Sequence, residues 1–166
     1  MAKIVLVIAQ KNFRDEELFF TKEELEKAGH ETVIAGKQKG TAIGMLGGKA
    51  EISLELKQVK TGDFDAIIFV GGSGSETYFK DAAALKLAKE FSKEGKIVAA
   101  ICIAPMILAN AGLLKGKKAT CTGLAEKIEA KGAKLTEALV ETDGKIITGK
   151  GPQAAREFGK KISEML

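Results

Sequence analysis

The sequence predicts an α/β fold: a doubly wound, mostly parallel sheet in a flavodoxin-like three-layer sandwich, with a cysteine at a nucleophile elbow. Three observations carry this. Strand-like and helix-like segments alternate along the chain. The segments KIVLVIA (3–9), DAIIFV (65–70) and KIVAAI (96–101) are apolar throughout, as strands covered on both faces are. A cysteine follows the last of these directly, just before a short helical stretch that opens on proline.

The elements follow in order. KIVLVIA is a buried strand. RDEELFFTKEELEKAG (14–29) is a helix, with acids crowding its first turns, Lys27 near its end and Gly29 as its stop. ETVIAG (31–36) is a second strand. The glycine-rich stretch 37–62 reads as a hairpin or excursion with an edge strand near 50–55. DAIIFV runs into Gly71-Gly72-Ser73-Gly74. DAAALKLAKEFSKEG (81–95) is an amphipathic helix with Leu85, Ala88 and Phe91 at helical spacing. After KIVAAI come a short helix (105–112), a strand KKATC (117–121) and a helix (124–132). LVETDGKIITG (139–149) is a hairpin turning at Asp143-Gly144. The terminal helix (152–166) has Pro152 in its first turn.

At 166 residues the chain is expected to be one domain, 1–166, and 45% hydrophobic residues suffice for a sizeable core. Charged residues make up 29%, with mixed signs and a net charge of +4. No basic run interleaves with aromatics, so the positive balance reads as solvated surface and no nucleic-acid partner is expected. Arginine is nearly absent: only Arg14 and Arg156 stand among the lysines. This Lys/Glu-rich, amide-poor composition has a thermophile-like cast. The apolar run after Lys3 is too short for a signal-peptide core or a membrane span. A cytoplasmic protein with reduced thiols and no membrane partner is expected.

In doubly wound folds ligands bind beyond the carboxyl ends of the strands. Five loops should meet there: those opening at Gln10, Gly71, Cys102, Cys121-Thr122 and Gly149. Cys102 is flanked at two residues' distance by Ala100 and Ala104. Small residues at those positions suit the close backbone approach of an elbow. A helix start beside it would favour a thiolate and offer free amides to an oxyanion; a small core residue is the plain alternative. Gly71-Gly72 fits either a tight turn or an anion cradle, and it matches neither dinucleotide nor P-loop spacing. Glu16 and Glu17 suit a solvated first turn, unless one carboxyl points at the thiol. His30, between a helix stop and a strand start, belongs to the opposite end of the sheet and reads as a surface turn residue. Two cysteines and one distant histidine make no metal site.

Together these segments resemble the ThiJ/PfpI superfamily along the whole chain. AAICIAPMILANAGLLKGKKAT is similar to its cysteine elbow, FRDEELFFTKEELEKAGHETVIAG to its Glu-bearing helix and second strand. DAIIFVGGSGSE is similar to its glycine turn and IITGKGPQAAREFGKKI to its last strand and helix. The superfamily includes an intracellular protease I branch and a Parkinson-disease protein branch with glyoxalase and deglycase activity. The resemblance implies Cys102 as the reactive cysteine and Glu17 as the carboxyl that hydrogen-bonds it. It implies the amides of Gly72 and Ile103 as an oxyanion hole. Glu76 matches the acid that the protease branch lends to a neighbouring subunit, so a homo-oligomer, a dimer first of all, is implied.

The departures are specific. Where the protease branch has histidine after the cysteine, this chain has Ile103; where the other branch has a histidine after its K-x-T strand, this chain has Thr122, beside Cys121. A Cys–His–acid triad cannot be assembled from these residues. The reading that survives is a cysteine-dependent enzyme on small reactive aldehydes, needing no metal and no cofactor. Its alternatives are a thiol redox sensor or chaperone, in which Cys121 would resolve an oxidised Cys102, and an intracellular peptidase, which the missing histidine weakens.

Overall fold

The computed structural model describes all 166 residues. In chain order the strands and helices are β1 (Lys3–Val7), β2 (Lys11–Phe13), α1 (Asp15–Lys27), β3 (Glu31–Gly36), β4 (Gly40–Gly44), β5 (Lys49–Ile52) and β6 (Leu54–Glu55). They continue as β7 (Ala66–Phe69), α2 (Ala82–Lys93), β8 (Ile97–Ile101), α3 (Pro105–Asn110), β9 (Lys118–Ala119) and α4 (Ala125–Ala130). β10 (Lys134–Leu135), β11 (Val140–Asp143), β12 (Ile146–Gly149) and α5 (Ala155–Met165) complete the chain.

The predicted sandwich is the observed fold. A seven-stranded sheet runs β11-β12-β8-β7-β1-β3-β6. Only the β11–β12 hairpin is antiparallel. Successive residues of a strand face opposite sides, so the apolar runs feed two cores. Val5, Val7, Ile67, Phe69 and Val98 pack with Leu87 and Phe91 of α2 and Ile107 and Leu108 of α3. Ile4, Leu6, Ile68, Ala99 and Ile101 pack with Leu18 and Leu25 of α1 and Phe158 and Ile162 of α5. This double coverage is why the runs lack polar alternation. No helix is long and apolar enough to cross a membrane.

Three elements depart from expectation. The segment 10–13 contains β2, which joins β4 and β5 in a separate three-stranded sheet. Its register slips between Lys11 and Phe13, and Asn12 takes φ +63°, so no strand-like alternation marks it. The strand expected at 117–121 shrinks to β9, which pairs with β10 outside the main sheet. There β12 holds the place next to β8, and Thr120 N–H reaches only the Thr148 hydroxyl, at 2.9 Å. The last helix begins at Ala155, after a 3-10 turn over Pro152–Ala154.

Candidate active site

Cys102 follows β8 directly and has φ +67°. A non-glycine residue in the left-handed region costs of order 1–3 kcal/mol and persists only where its surroundings fix it. Here both backbone groups are tied. Its N–H donates to Gly149 O at 2.9 Å, and its carbonyl accepts from Thr122 N–H at 2.8 Å. The flanking Ala100 and Ala104 are wholly buried, as the tight turn requires. The side chain of Cys102 packs on the α1/α5 side of the sheet.

Facing it is the turn after β7. A Cβ on Gly71 would lie 2.4 Å from Glu17 Oε1 and 2.6 Å from Cys102 Cβ. The bare glycine therefore lets α1 and the elbow close on each other, with those two atoms at most about 5 Å apart. Gly72 has φ +99°, and a Cβ there would meet Arg14 N at 2.4 Å. The turn is bound to the start of α1 through Arg14 N–H to Gly71 O, 2.9 Å. The amides of Gly72 and Ile103 both point at the Cys102 sulfur.

Glu17 is fully buried. Its carboxyl faces the Cys102 thiol and the Gly71 N–H, but neither oxygen completes a well-aligned hydrogen bond. Burial pushes the carboxyl up to about 7, against the lowering pull of the thiol, the Gly71 amide and the Arg14 charge. Cys102 is pushed up to about 12, first by burial and then by the charge on Glu17. The Gly72 and Ile103 amides pull it the other way without prevailing. The amides at the helix start pull toward a thiolate, as expected, and burial and the Glu17 charge oppose them. α3 has only six residues, and burial is the largest of the opposing causes, ahead of the carboxyl.

The remaining candidates divide. Glu76 lies exposed in the 3-10 turn Ser73–Tyr78. Thr122 is an anchor: its amide holds Cys102, and its hydroxyl donates to Lys150 O. Cys121 packs against the core on the α2/α3 side, its thiol donating to Gly123 O at 3.5 Å. Both cysteines are free, and they pack against different cores. Ile103 is half-buried. His30 lies where β3 begins, at the far end of the sheet, and accepts Ala2 N–H at 3.0 Å. No histidine serves the elbow, and no cluster of His, Cys, Asp or Glu is placed to hold a metal.

Two residues escaped the sequence reading. Asp15 is buried, and its carboxylate accepts Leu46 N–H at 2.8 Å and Gly48 N–H at 2.7 Å. It thereby clamps the β4–β5 hairpin over the start of α1. Arg14 forks onto Glu16 through Nε (3.1 Å) and Nη2 (3.0 Å), within electrostatic reach of Glu17 and Cys102. The one available signal was its type: an arginine at this spot in a chain built almost wholly on lysine.

The profile of the DJ-1/PfpI family matches residues 2–165. The chain belongs to this family. Among curated members, it is 33% identical over 163 residues to a protein of Pyrococcus horikoshii named Deglycase PH1704, covering 98% of each chain. Among solved structures, a ThiJ/PfpI domain protein from Brachyspira murdochii superposes with a TM-score of 0.95 at 36% identity, over 98% of this chain and 94% of that one. DJ-1beta of Drosophila melanogaster superposes with a TM-score of 0.89 at 28% identity, over 100% and 91%.

Proposed function

We propose that the protein is a cysteine-dependent enzyme of glyoxalase or deglycase type that acts on small reactive aldehydes through Cys102. One observation carries this reading: a cysteine held at positive φ, opposite a buried carboxyl poised near neutrality. Backbone strain that the surroundings enforce gathers at reacting centres, and a carboxyl near 7 is matched to general-base work. The family relative named a deglycase agrees with it.

The chemistry starts from the Cys102 thiol with Glu17 as its base. An aldehyde oxygen accepts the amides of Gly72 and Ile103. As Sγ bonds to the carbonyl carbon, its proton passes to the Glu17 carboxylate and the π electron pair moves to oxygen. Glu17 returns the proton, giving a hemithioacetal. With a 2-oxoaldehyde, Glu17 then moves the former aldehyde C–H proton to the neighbouring carbon through an enediol. Water cleaves the resulting thioester and Cys102 regains its proton. The net reaction is a 2-oxoaldehyde plus water giving a 2-hydroxy acid, with no metal and no redox cofactor.

The test is methylglyoxal consumption, with the hydroxy acid identified, by wild type and Cys102→Ser. Turnover by wild type alone is expected. Equal turnover by both proteins would remove Cys102 from the chemistry.

A further inference from the structure

The mechanism above leaves one charged side chain at the site unused. Arg14 opens α1 one turn before Glu17, with its own amide bonded to Gly71 O at 2.9 Å. It therefore stands beside Gly72, whose amide faces the reacting sulfur. Its guanidinium is within electrostatic reach of Cys102 and Glu17, and so of a charge carried by a substrate held there.

The guanidinium is only partly committed. Glu16 takes its Nε edge and one side of Nη2, whereas Nη1 has no acceptor in the structure. The Glu16 fork also fixes the orientation of the plane, since a bidentate pair holds direction as well as charge. Its side chain is 30% exposed, open enough to be reached from solvent. What remains uncommitted is a planar edge of donors, the arrangement that recognises carboxylate and phosphate oxygens. A lysine would supply the charge without the fork.

We propose that Arg14 is a specificity-determining residue that selects substrates carrying an anionic group near the reactive carbonyl, its free Nη1 edge binding that group. The substrate class rests on the aldehyde reading of Cys102; the anion preference of the site does not.

The experiment therefore has a readout independent of turnover. Cys102 is alkylated at pH 9 by anionic iodoacetate and by neutral iodoacetamide, with its peptide followed by mass spectrometry to separate it from Cys121. The ratio of the two rates reports the welcome given to a carboxylate beside the sulfur. In Arg14→Gln the iodoacetate-to-iodoacetamide ratio should fall about tenfold, the loss expected of one charge-assisted hydrogen bond; Arg14→Lys should fall between. In Glu16→Gln, which releases the other donors, the ratio should rise. An unchanged ratio in Arg14→Gln, or equal slowing of both reagents, overturns the proposal. If that variant does not fold, an unchanged ratio in Glu16→Gln overturns it instead. A parallel comparison of a carboxylate-bearing 2-oxoaldehyde, 4,5-dioxovalerate, with methylglyoxal should show the same fall in relative kcat/KM in Arg14→Gln. Absence of turnover with either aldehyde in wild type would count against the enzyme reading and leave the alkylation result standing.

Discussion

Glu17→Gln should separate two effects that the buried pair combines. In wild type the Glu17 carboxylate and Cys102 are within about 5 Å across Gly71, and the thiol stands at about 12. Two unit charges at ~5 Å in an effective dielectric of ~20 interact by roughly 3 kcal/mol. That corresponds to roughly 2 pKa units. Glutamine keeps the size and loses the charge, while burial still raises the thiol. The Cys102 midpoint should therefore fall by roughly 2 units and stay above an ordinary thiol. At pH 9 the thiolate fraction, and with it the iodoacetamide rate, should rise about a hundredfold. Aldehyde turnover should move oppositely, dropping about a hundredfold or more as the general base is lost. The assay is the pH dependence of Cys102 alkylation in both proteins, set beside methylglyoxal consumption. A midpoint that rises in Glu17→Gln would refute the reasoning. It would mean that the wild-type carboxyl is protonated and donates to a thiolate.

Three further outcomes follow from the same contacts. Because Glu17 titrates at about 7 when folded against an ordinary 4.5, the folded state binds the extra proton. Stability should be full below about pH 4.5 and decline by about 3 kcal/mol as pH rises to 7, and thermal unfolding in Glu17→Gln should lose that slope. Asp15→Ala strips partners from the Leu46 and Gly48 amides and should cost about 1–3 kcal/mol in denaturant unfolding; a change within error would show that the hairpin is held by other contacts. Light scattering should find a dimer, with Glu76 exposed on each chain and available to its neighbour. A monomer with full turnover would exclude any part for Glu76.

The main sheet was legible because burial on both faces writes itself into composition. Strands such as Ala66–Phe69 and Ile97–Ile101, with no exposed residue, have no room for a polar one. Once strand ends were known, the rim and Cys102 followed from topology. The small second sheet was not legible, because β2 is three residues long and slips register, so period-two alternation never builds up. β9 misled for a related reason: Lys118 and Ala119 look like a sheet strand, but the choice between β9 and β12 as the partner of β8 is made by tertiary packing.

The charge state of the site was the least legible feature, and the reason is geometric. Read along the chain, a cysteine before a helix start suggests a lowered thiol, since the helix amides are its neighbours in sequence. The charge that opposes them, Glu17, is 85 residues away and reaches the thiol because Gly71 has no side chain to keep α1 off the elbow. Arg14 reaches the same place on the same helix, its position set by the bond from its amide to Gly71 O. One bare turn thus brings a base and a cation to a single thiol. The chemistry of Cys102 is set less by its own elbow than by how closely glycine lets α1 approach it.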